Sequence, residues 1–460
     1  MGTLKIENAS YIFTLDPLRR IIRNGSILID GQNIQRVGTA AELTEVTADR
    51  VIDARDKLVS PGFINGHDHL YPQVMRGMFL DELTASYVED SCAVRNAMQD
   101  EEEYVGTLAC VTEHLKHGTT TILNPGDSQR LDAAFQAYSE TRARIVMGSN
   151  VTDAENSVFA KTLPTNKALA ELERILKVYG GRCSGRVTAW VMLAYATLDC
   201  TEELAKAAKR LADSYGTGMT FHQSARQRHV DACLKTHGVR PIEYLERIGV
   251  VGPNVVLGHA IRLDQAEVDI LARTQTRVVT CPGTAMRLGY GLTVTGKLPE
   301  MHEKGVVVGL GTDTSDFGVA DTMRAMYLIA GLYKDCREST KMIPAETAFE
   351  MATLQGAKAL GMDKQIGSLE PGKKADIVLL DARRLEWQPL LNPVNNLVYN
   401  ADGRSVHTVI VDGDIRIENG KPTFVDEWEL GQRVHAAGER LLGRTGYKVP
   451  SRWPIVGESQ

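Results

Sequence analysis

Phe63-Ile64-Asn65-Gly66-His67-Asp68-His69 is a short apolar run ending in two histidines separated by one residue. In an extended strand, residues i and i+2 point to the same side, so His67 and His69 leave the strand's C-terminal end together. Imidazole nitrogens suit zinc and also iron or cobalt, and two on one rigid strand make half a tetrahedral site. Alone the pair is weak, since two histidines at this spacing also arise by chance. The rest of the chain gives it weight.

Outward from this run, strand-like apolar segments alternate with amphipathic helical ones. After FINGHDH (63–69) come TTTILNPG (119–126), RIVMGSNV (144–151), RVTAWVMLAY (186–195), GMTFHQSA (218–225), VVLGHA (255–260), RVVTCPG (277–283) and VVVGLGTD (306–313). Helical stretches such as TEELAKAAKRLADSYG (201–216), RPIEYLERIG (240–249), LDQAEVDILART (263–274) and PAETAFEMATLQGAKALG (344–361) separate them. Eight such units predict an α/β fold, a (β/α)₈ TIM barrel with its active site on the loops after the strands' C-terminal ends. A doubly wound open sheet would leave unexplained why polar residues close so many strands.

Both ends of the chain read differently. LKIENASYIFT (4–14), GSILIDGQNIQRVG (25–38) and DRVIDARDKLVSP (49–61) alternate apolar and polar positions between turn residues. ADIVLLD (375–381), HTVIVDGDIRIENG (407–420) and KPTFV (421–425) repeat the style, with Asp-Gly and Asn-Gly turns. We therefore expect residues 1–60 and 364–460, the latter with a terminal helix or tail, to build one small β-sandwich domain around a barrel of residues 61–363. Separate terminal domains are the alternative.

Composition narrows the function classes. The 460 residues are 43% hydrophobic and 24% charged, the balance of a soluble globular protein. A net charge of −6 argues against a broad nucleic-acid or membrane footprint. The N-terminus lacks a basic segment followed by an apolar run, and no stretch approaches the roughly 18 apolar residues that span a bilayer. Seven cysteines at wide spacing, without CxxC pairs, argue against a disulfide framework and fit a reducing cytoplasm. The expected partner is a small-molecule substrate.

Four of the eleven histidines fall at the C-terminal ends of expected strands: His67, His69, His222 on the fifth and His259 on the sixth. The eighth closes with Asp313. His229, just past the fifth strand, reads as a helix cap or a residue at the mouth. His114, His117, His237, His302, His407 and His435 lie in helical or peripheral segments and read as solvent-exposed. Asp313 could equally be a helix N-cap, the common fate of an aspartate there, but convergence of four histidines favours a ligand.

A strand-one HxH, a strand-five His, a strand-six His and a strand-eight Asp resemble the amidohydrolase superfamily. With IGSLEPGKKADIVLLD (366–381), VVTCPGTAMRLGYG (278–291) and VGLGTDTS (308–315), the resemblance covers nearly the whole chain and points to the branch holding atrazine chlorohydrolase, guanine deaminase and cytosine-type deaminases. It implies one divalent metal per subunit (zinc, cobalt, iron or manganese) on His67, His69, His222 and Asp313, with His259 beside it. Strand four carries no lysine of the kind that bridges two metals in binuclear members. The resemblance also implies a homo-oligomer.

Three imidazoles and one carboxylate leave the ion enough charge to lower the pKa of its water from near 16 towards roughly 7. Asp313 can take the proton as hydroxide attacks, and His259 can orient that hydroxide or stabilise the oxyanion. An assembly protein on an inactive barrel would typically have lost some of these ligands.

The sequence departs from the branch on the substrate side. The Glu usual three residues after the strand-five His is Ala225, the strand-four His is missing from Leu193-Ala194-Tyr195-Ala196, and a polar pair after strand seven is Thr284-Ala285. Alanine moves no proton. These changes read as a lost grip on a protonatable heterocycle, and the combination is similar to the molinate hydrolase and phenylurea hydrolase group. The expectation is hydrolysis of a urea, carbamate, thiocarbamate or amide carbonyl, releasing an amine, aniline or thiol. The alternative is a deaminase or chlorohydrolase of a purine, pyrimidine or s-triazine, with Asp316 or His229 as proton shuttle. Asn124, Tyr195, Gln223, His259 and Asp316 are the candidate substrate contacts. Tyr71, Met75, Arg76 and Arg226 could also line the pocket, and Leu70, Met78, Phe79, Leu80 and Met192 could form an apolar wall.

Overall fold

The two β-rich ends of the chain meet in one mixed sheet. The computed structural model describes residues 2–80, 85–154, 160–314, 316 and 318–457. Strands Thr3–Phe13, Ile21–Asp30, Asn33–Thr39, Arg50–Asp53 and Lys57–Pro61 share a nine-stranded sheet with Ile377–Asp381, Val406–Val411, Asp414–Glu418 and Lys421–Pro422. At the seam Lys57–Pro61 runs antiparallel to Ile377–Asp381, with Val59 opposite Leu379. The hairpin turns follow from their residues. Asp412 and Gly413 have φ of 50° and 80°, and Asn419 and Gly420 have 53° and 74°. Two-residue hairpin loops of this kind need positive φ at both positions, which Asp-Gly and Asn-Gly supply at low cost. Ile6, Ile12, Ile27, Val59, Ile377 and Leu379 form the sheet's own apolar core.

The eight barrel strands are present, four of them in two pieces. The first is Phe63–Asn65 continued by Asp68–His69, and the second is Thr119–Leu123. The third is Arg144–Met147 with Asn150–Thr152, and the fourth Val187–Ala189 with Val191–Leu193. Met219–Gln223, Val255–His259 and Arg277–Thr280 follow, and the eighth is Val308–Leu310 with Asp313–Thr314. Neighbours pair in parallel throughout, and Asp313 opposite Asp68 joins the eighth strand to the first.

Alternation along these strands separates two cores. Ile64, Leu123, Val146, Val256 and Val279 pack with Trp190 and Met192 in one cluster, closed off by Ala357, Leu360 and Ile366. Their chain neighbours Phe63, Ile122, Ile145, Leu257 and Val278 belong to the larger cluster shared with the surrounding helices. Met192, expected as a pocket wall, is thus part of this packing. Among the described residues no helix is long and apolar enough to cross a membrane.

Barrel and sheet are joined by buried charge. Arg144, at the start of the third strand, donates from Nε to Asp376 Oδ2 (2.9 Å) and from Nη2 to Asp376 Oδ1 (3.0 Å) and Asp412 Oδ1 (2.6 Å). All three side chains are buried.

Helix Asp100–Lys116 carries a buried acid in its first turn. Burial, with the Asp127 charge nearby, pushes the Glu103 carboxyl up to about 8. In the unfolded chain it would titrate near 4.3. Between these values the unfolded state sheds a proton that the folded state keeps, so stability falls as pH rises through this window. The fall is at most about 1.4 kcal/mol per pH unit. Glu103→Gln removes this group. Its melting temperature, compared with wild type, is expected to gain steadily from pH 4.5 to 8 and level off above, which a thermal-shift series across pH will check.

Candidate metal centre and substrate pocket

The seam between the first and eighth strands is locked by side chains. Asn65 Nδ2 donates to Thr312 Oγ1 (2.5 Å), and its Oδ1 accepts from the backbone N–H groups of His67 and Thr312 (both 3.2 Å). Asp313 N donates to His67 O (2.9 Å). Thr312 Oγ1 donates to Asp68 Oδ2 (2.9 Å), which also meets His114 Nε2. His114, expected to be solvent-exposed, is therefore a fully buried partner of Asp68. The helix face that carries it packs on the barrel, which its position in a helical segment did not disclose. Gly311 permits the close approach: a Cβ there would sit 2.8 Å from His67 O.

Backbone strain gathers at the same strand ends. Ser224, His259, Ala260 and Asp313 have φ of 47°, 72°, 47° and 76°, the left-handed region that side chains with a Cβ rarely occupy. Such strain persists where surrounding structure enforces it, and it concentrates at functional sites.

These ends bring the expected ligands together. Asp313 Oδ1 lies 3.3 Å from both His67 Nε2 and His69 Nε2, and His69 Nε2 lies 3.3 Å from His222 Nε2. Donor atoms of His67, His222, His259 and Asp313 all fall within 4.8 Å of one another. The rings of His67 and His259 are 5.1 Å apart. Neutral imidazoles can present lone pairs on their facing nitrogens, and with a carboxylate beside them they make a set that suits a divalent cation. Among the described residues, His67 Nε2 and His259 Nδ1 are buried without a hydrogen bond, as expected of atoms that serve a ligand instead.

The electrostatics run both ways. Burial opposes charge on Asp313, but His259, His67 and His69 outweigh it and hold the carboxyl well below the usual carboxylate range. Burial, reinforced by the neighbouring histidines, pushes His222 well down. His259 falls to about 3, mainly through burial, so its ring stays neutral at ordinary pH. Burial also disfavours a charged His69, yet Asp127 and Asp313 together raise it well above the usual imidazole range.

The pocket over this cluster is lined by His69, His222, His259 and Asp313, by Tyr71 and Met75, and by Tyr195, Arg226 and Asp316. Tyr195 stacks on His222 at 5.3 Å between ring centres, and Arg226 lies 4.6 Å over the Tyr290 ring. His229 faces Tyr195 edge-on at 4.9 Å and lines the pocket rather than merely capping its helix. Burial pushes the Asp316 carboxyl up to about 6.

Two candidates lie elsewhere. Gln223 bonds Ser224 Oγ (3.0 Å) and Thr197 Oγ1 (3.4 Å) and does not line the pocket, because adjacent strand residues face opposite ways. Asn124 Oδ1 accepts from Gly126 N (2.9 Å) and its Nδ2 donates to Tyr138 Oη (3.1 Å), so it shapes a loop. Arg76 pairs with Glu113 at 2.8 Å. Leu70, Met78 and Phe79 pack in apolar clusters, and Leu80 does not line the pocket. Sequence reasoning missed Arg95, Asp127, Arg228 and Tyr290, which do line it. An aspartate closing NPGD after the second strand was the one legible signal among them.

Comparison with known proteins fits this geometry. The family model described as Amidohydrolase family matches residues 58–416. The chain is 33% identical over 425 residues to the 5′-deoxyadenosine deaminase of Methanothermobacter thermautotrophicus, covering 92% of this chain and 96% of that protein. Among solved structures, an adenosine deaminase from Xanthomonas campestris with bound zinc superposes with a TM-score of 0.87 at 23% identity, covering 96% of this chain and 98% of that one. The atrazine chlorohydrolase of Arthrobacter aurescens TC1, complexed with zinc, gives 0.84 at 22%, covering 95% and 100%.

These relatives correct the expected reaction. Curated relatives over nearly the full length are deaminases of adenosine-type nucleosides, which overturns hydrolysis of a urea, carbamate, thiocarbamate or amide. The physical fault lay in reading Ala225 and its companions as a loss of polarity. Ala225 is buried, and Arg95, Asp127, Arg226, Arg228, His229 and Asp316 restore polar groups to the pocket from other loops.

Proposed function

The chain belongs to the amidohydrolase family, and from that premise we propose that this metal-dependent hydrolase of C–N bonds deaminates an adenosine-type nucleoside of the 5′-deoxyadenosine kind. The observation that carries the reading is the near full-length similarity to proteins named as such deaminases. The buried donor set of His67, His69, His222 and Asp313, with His259 adjacent, supports it.

One divalent ion held by His67, His69, His222 and Asp313 would act as a Lewis acid that makes water nucleophilic near neutral pH. The chain's own groups handle the protons. Asp313, held ionised, accepts on its carboxylate the proton that water loses on attacking the carbon bearing the amino group, and returns it to the departing amine, which leaves as ammonia. His259, neutral at this pH, offers one N–H and one lone pair to orient the oxygen. Asp316 stands in the pocket as the carboxyl that protonates the ring nitrogen in place of an acid at position 225. The hydroxyl left on the carbon returns its proton to Asp316 as it becomes the carbonyl, so a nucleoside and water give the keto nucleoside and ammonia.

The test is a panel of 5′-deoxyadenosine, adenosine, guanine and cytosine assayed for ammonia release, with a phenylurea and a thiocarbamate assayed for release of amine, aniline or thiol. Fastest turnover of an adenosine-type nucleoside is expected. Turnover of the phenylurea or thiocarbamate with no ammonia from any nucleoside would overturn the proposal.

A further inference from the structure

His69 differs from His222 in what holds its far side. Its Nδ1 lies 2.8 Å from Asp127 Oδ2, while Nε2 faces Asp313 and His222. Behind His222 Nδ1 stands a backbone carbonyl, Ala194 O at 3.3 Å. A neutral imidazole carries one N–H and one lone pair, so an acceptor fixed at Nδ1 leaves the lone pair on Nε2, where the other donors converge.

The loop after the second strand is built to deliver this carboxylate. Asn124 Oδ1 accepts from Gly126 N, and Asn150 N donates to Gly126 O at 2.5 Å. Gly126 has a φ of 93°, and a Cβ there would sit 2.8 Å from both Asn150 N and Met192 Sδ. Only glycine turns the chain so tightly here, and the next residue is Asp127. Its side chain is buried, and Tyr71 and Arg95 line the same pocket.

We propose that Asp127 is a positioning residue for the metal centre: its carboxylate takes the Nδ1–H of His69, fixing the ring's tautomer and aim so that Nε2 binds the ion. This rests on the metal-site part of the proposed function. Partners of this kind usually account for about 10- to 100-fold in metal affinity.

The test uses the full-length protein stripped of metal and compares wild type with Asp127→Ala and Asp127→Asn. Zinc affinity is measured by competition with a chromophoric chelator, and the cobalt-loaded proteins are examined by visible absorption. The metal-free melting temperature serves as the control for folding. The alanine variant is expected to bind zinc about 10- to 100-fold more weakly, with an altered cobalt spectrum and an unchanged metal-free melting temperature. Asparagine keeps an acceptor without the charge and is expected to fall between it and wild type.

Zinc affinity and cobalt spectrum equal to wild type in both variants would overturn the assignment. So would a loss of affinity matched by an equal loss of metal-free stability, which marks a merely structural role. If the alanine variant does not fold, the asparagine variant decides, and wild-type zinc affinity with a wild-type cobalt spectrum in it overturns the proposal. Deaminase activity is a separate readout: weakened zinc binding in an enzyme that deaminates nothing would sink the proposed reaction and leave Asp127 in its role.

Discussion

Asp313→Asn is expected to lower kcat by about 10²- to 10⁴-fold while leaving KM within a few-fold. Asparagine preserves the shape of the side chain and can still offer an oxygen to the ion. It cannot take a proton from water, the step assigned to the Asp313 carboxylate. The low pKa of Asp313 is set by three histidines, so the wild-type carboxylate is ionised at any working pH. Metal content separates the two roles of the residue. A dead variant with wild-type metal content marks proton transfer as the loss, whereas a dead and metal-poor variant marks Asp313 chiefly as a ligand. A variant with more than a tenth of wild-type kcat would remove Asp313 from the mechanism.

Arg144→Met is expected to destabilise the fold by about 3–5 kcal/mol, the usual cost of removing one partner from a buried ionic cluster. Arg144 satisfies Asp376 through two nitrogens and Asp412 through one, and its loss leaves two buried carboxylates facing each other across the barrel–sheet junction. Arg186 Nη1, 3.5 Å from Asp412, is too distant and too poorly aimed to replace both contacts. Lysine would not rescue the site, because one ammonium cannot reproduce the planar two-nitrogen fork on Asp376. Chemical denaturation of the metal-free protein checks this. A midpoint of unfolding unchanged from wild type would show that the junction is held by apolar packing alone.

The parts of this molecule legible in the sequence were those governed by short periodicities. Alternation aimed His67 and His69 to one side, and the recurrence of apolar runs placed His222, His259 and Asp313 at matching ends of a parallel barrel. The Asp-Gly and Asn-Gly pairs marked turns whose positive φ angles the structure contains. The same alternation, applied to Gln223, would have kept it out of the pocket, since it sits next to His222 and must face the other way.

What the sequence hid depends on loops and on contacts distant in the chain. Asp127 reaches His69 only because Gly126 folds the loop back, and His114 meets Asp68 only because its helix docks on the first strand. The left-handed backbone of His259 and Asp313 leaves no mark in residue type, as neither is glycine. Ala225 misled for a related reason. A missing acid at one position says little about a pocket whose polar groups arrive from the loops after several strands.

The most direct test of the central claim is to titrate metal-free protein with zinc while following ammonia release from 5′-deoxyadenosine. Activity that rises linearly and breaks at one zinc per chain is the predicted result. Ammonia release at full rate without metal, or none from this nucleoside at any zinc loading, would contradict it.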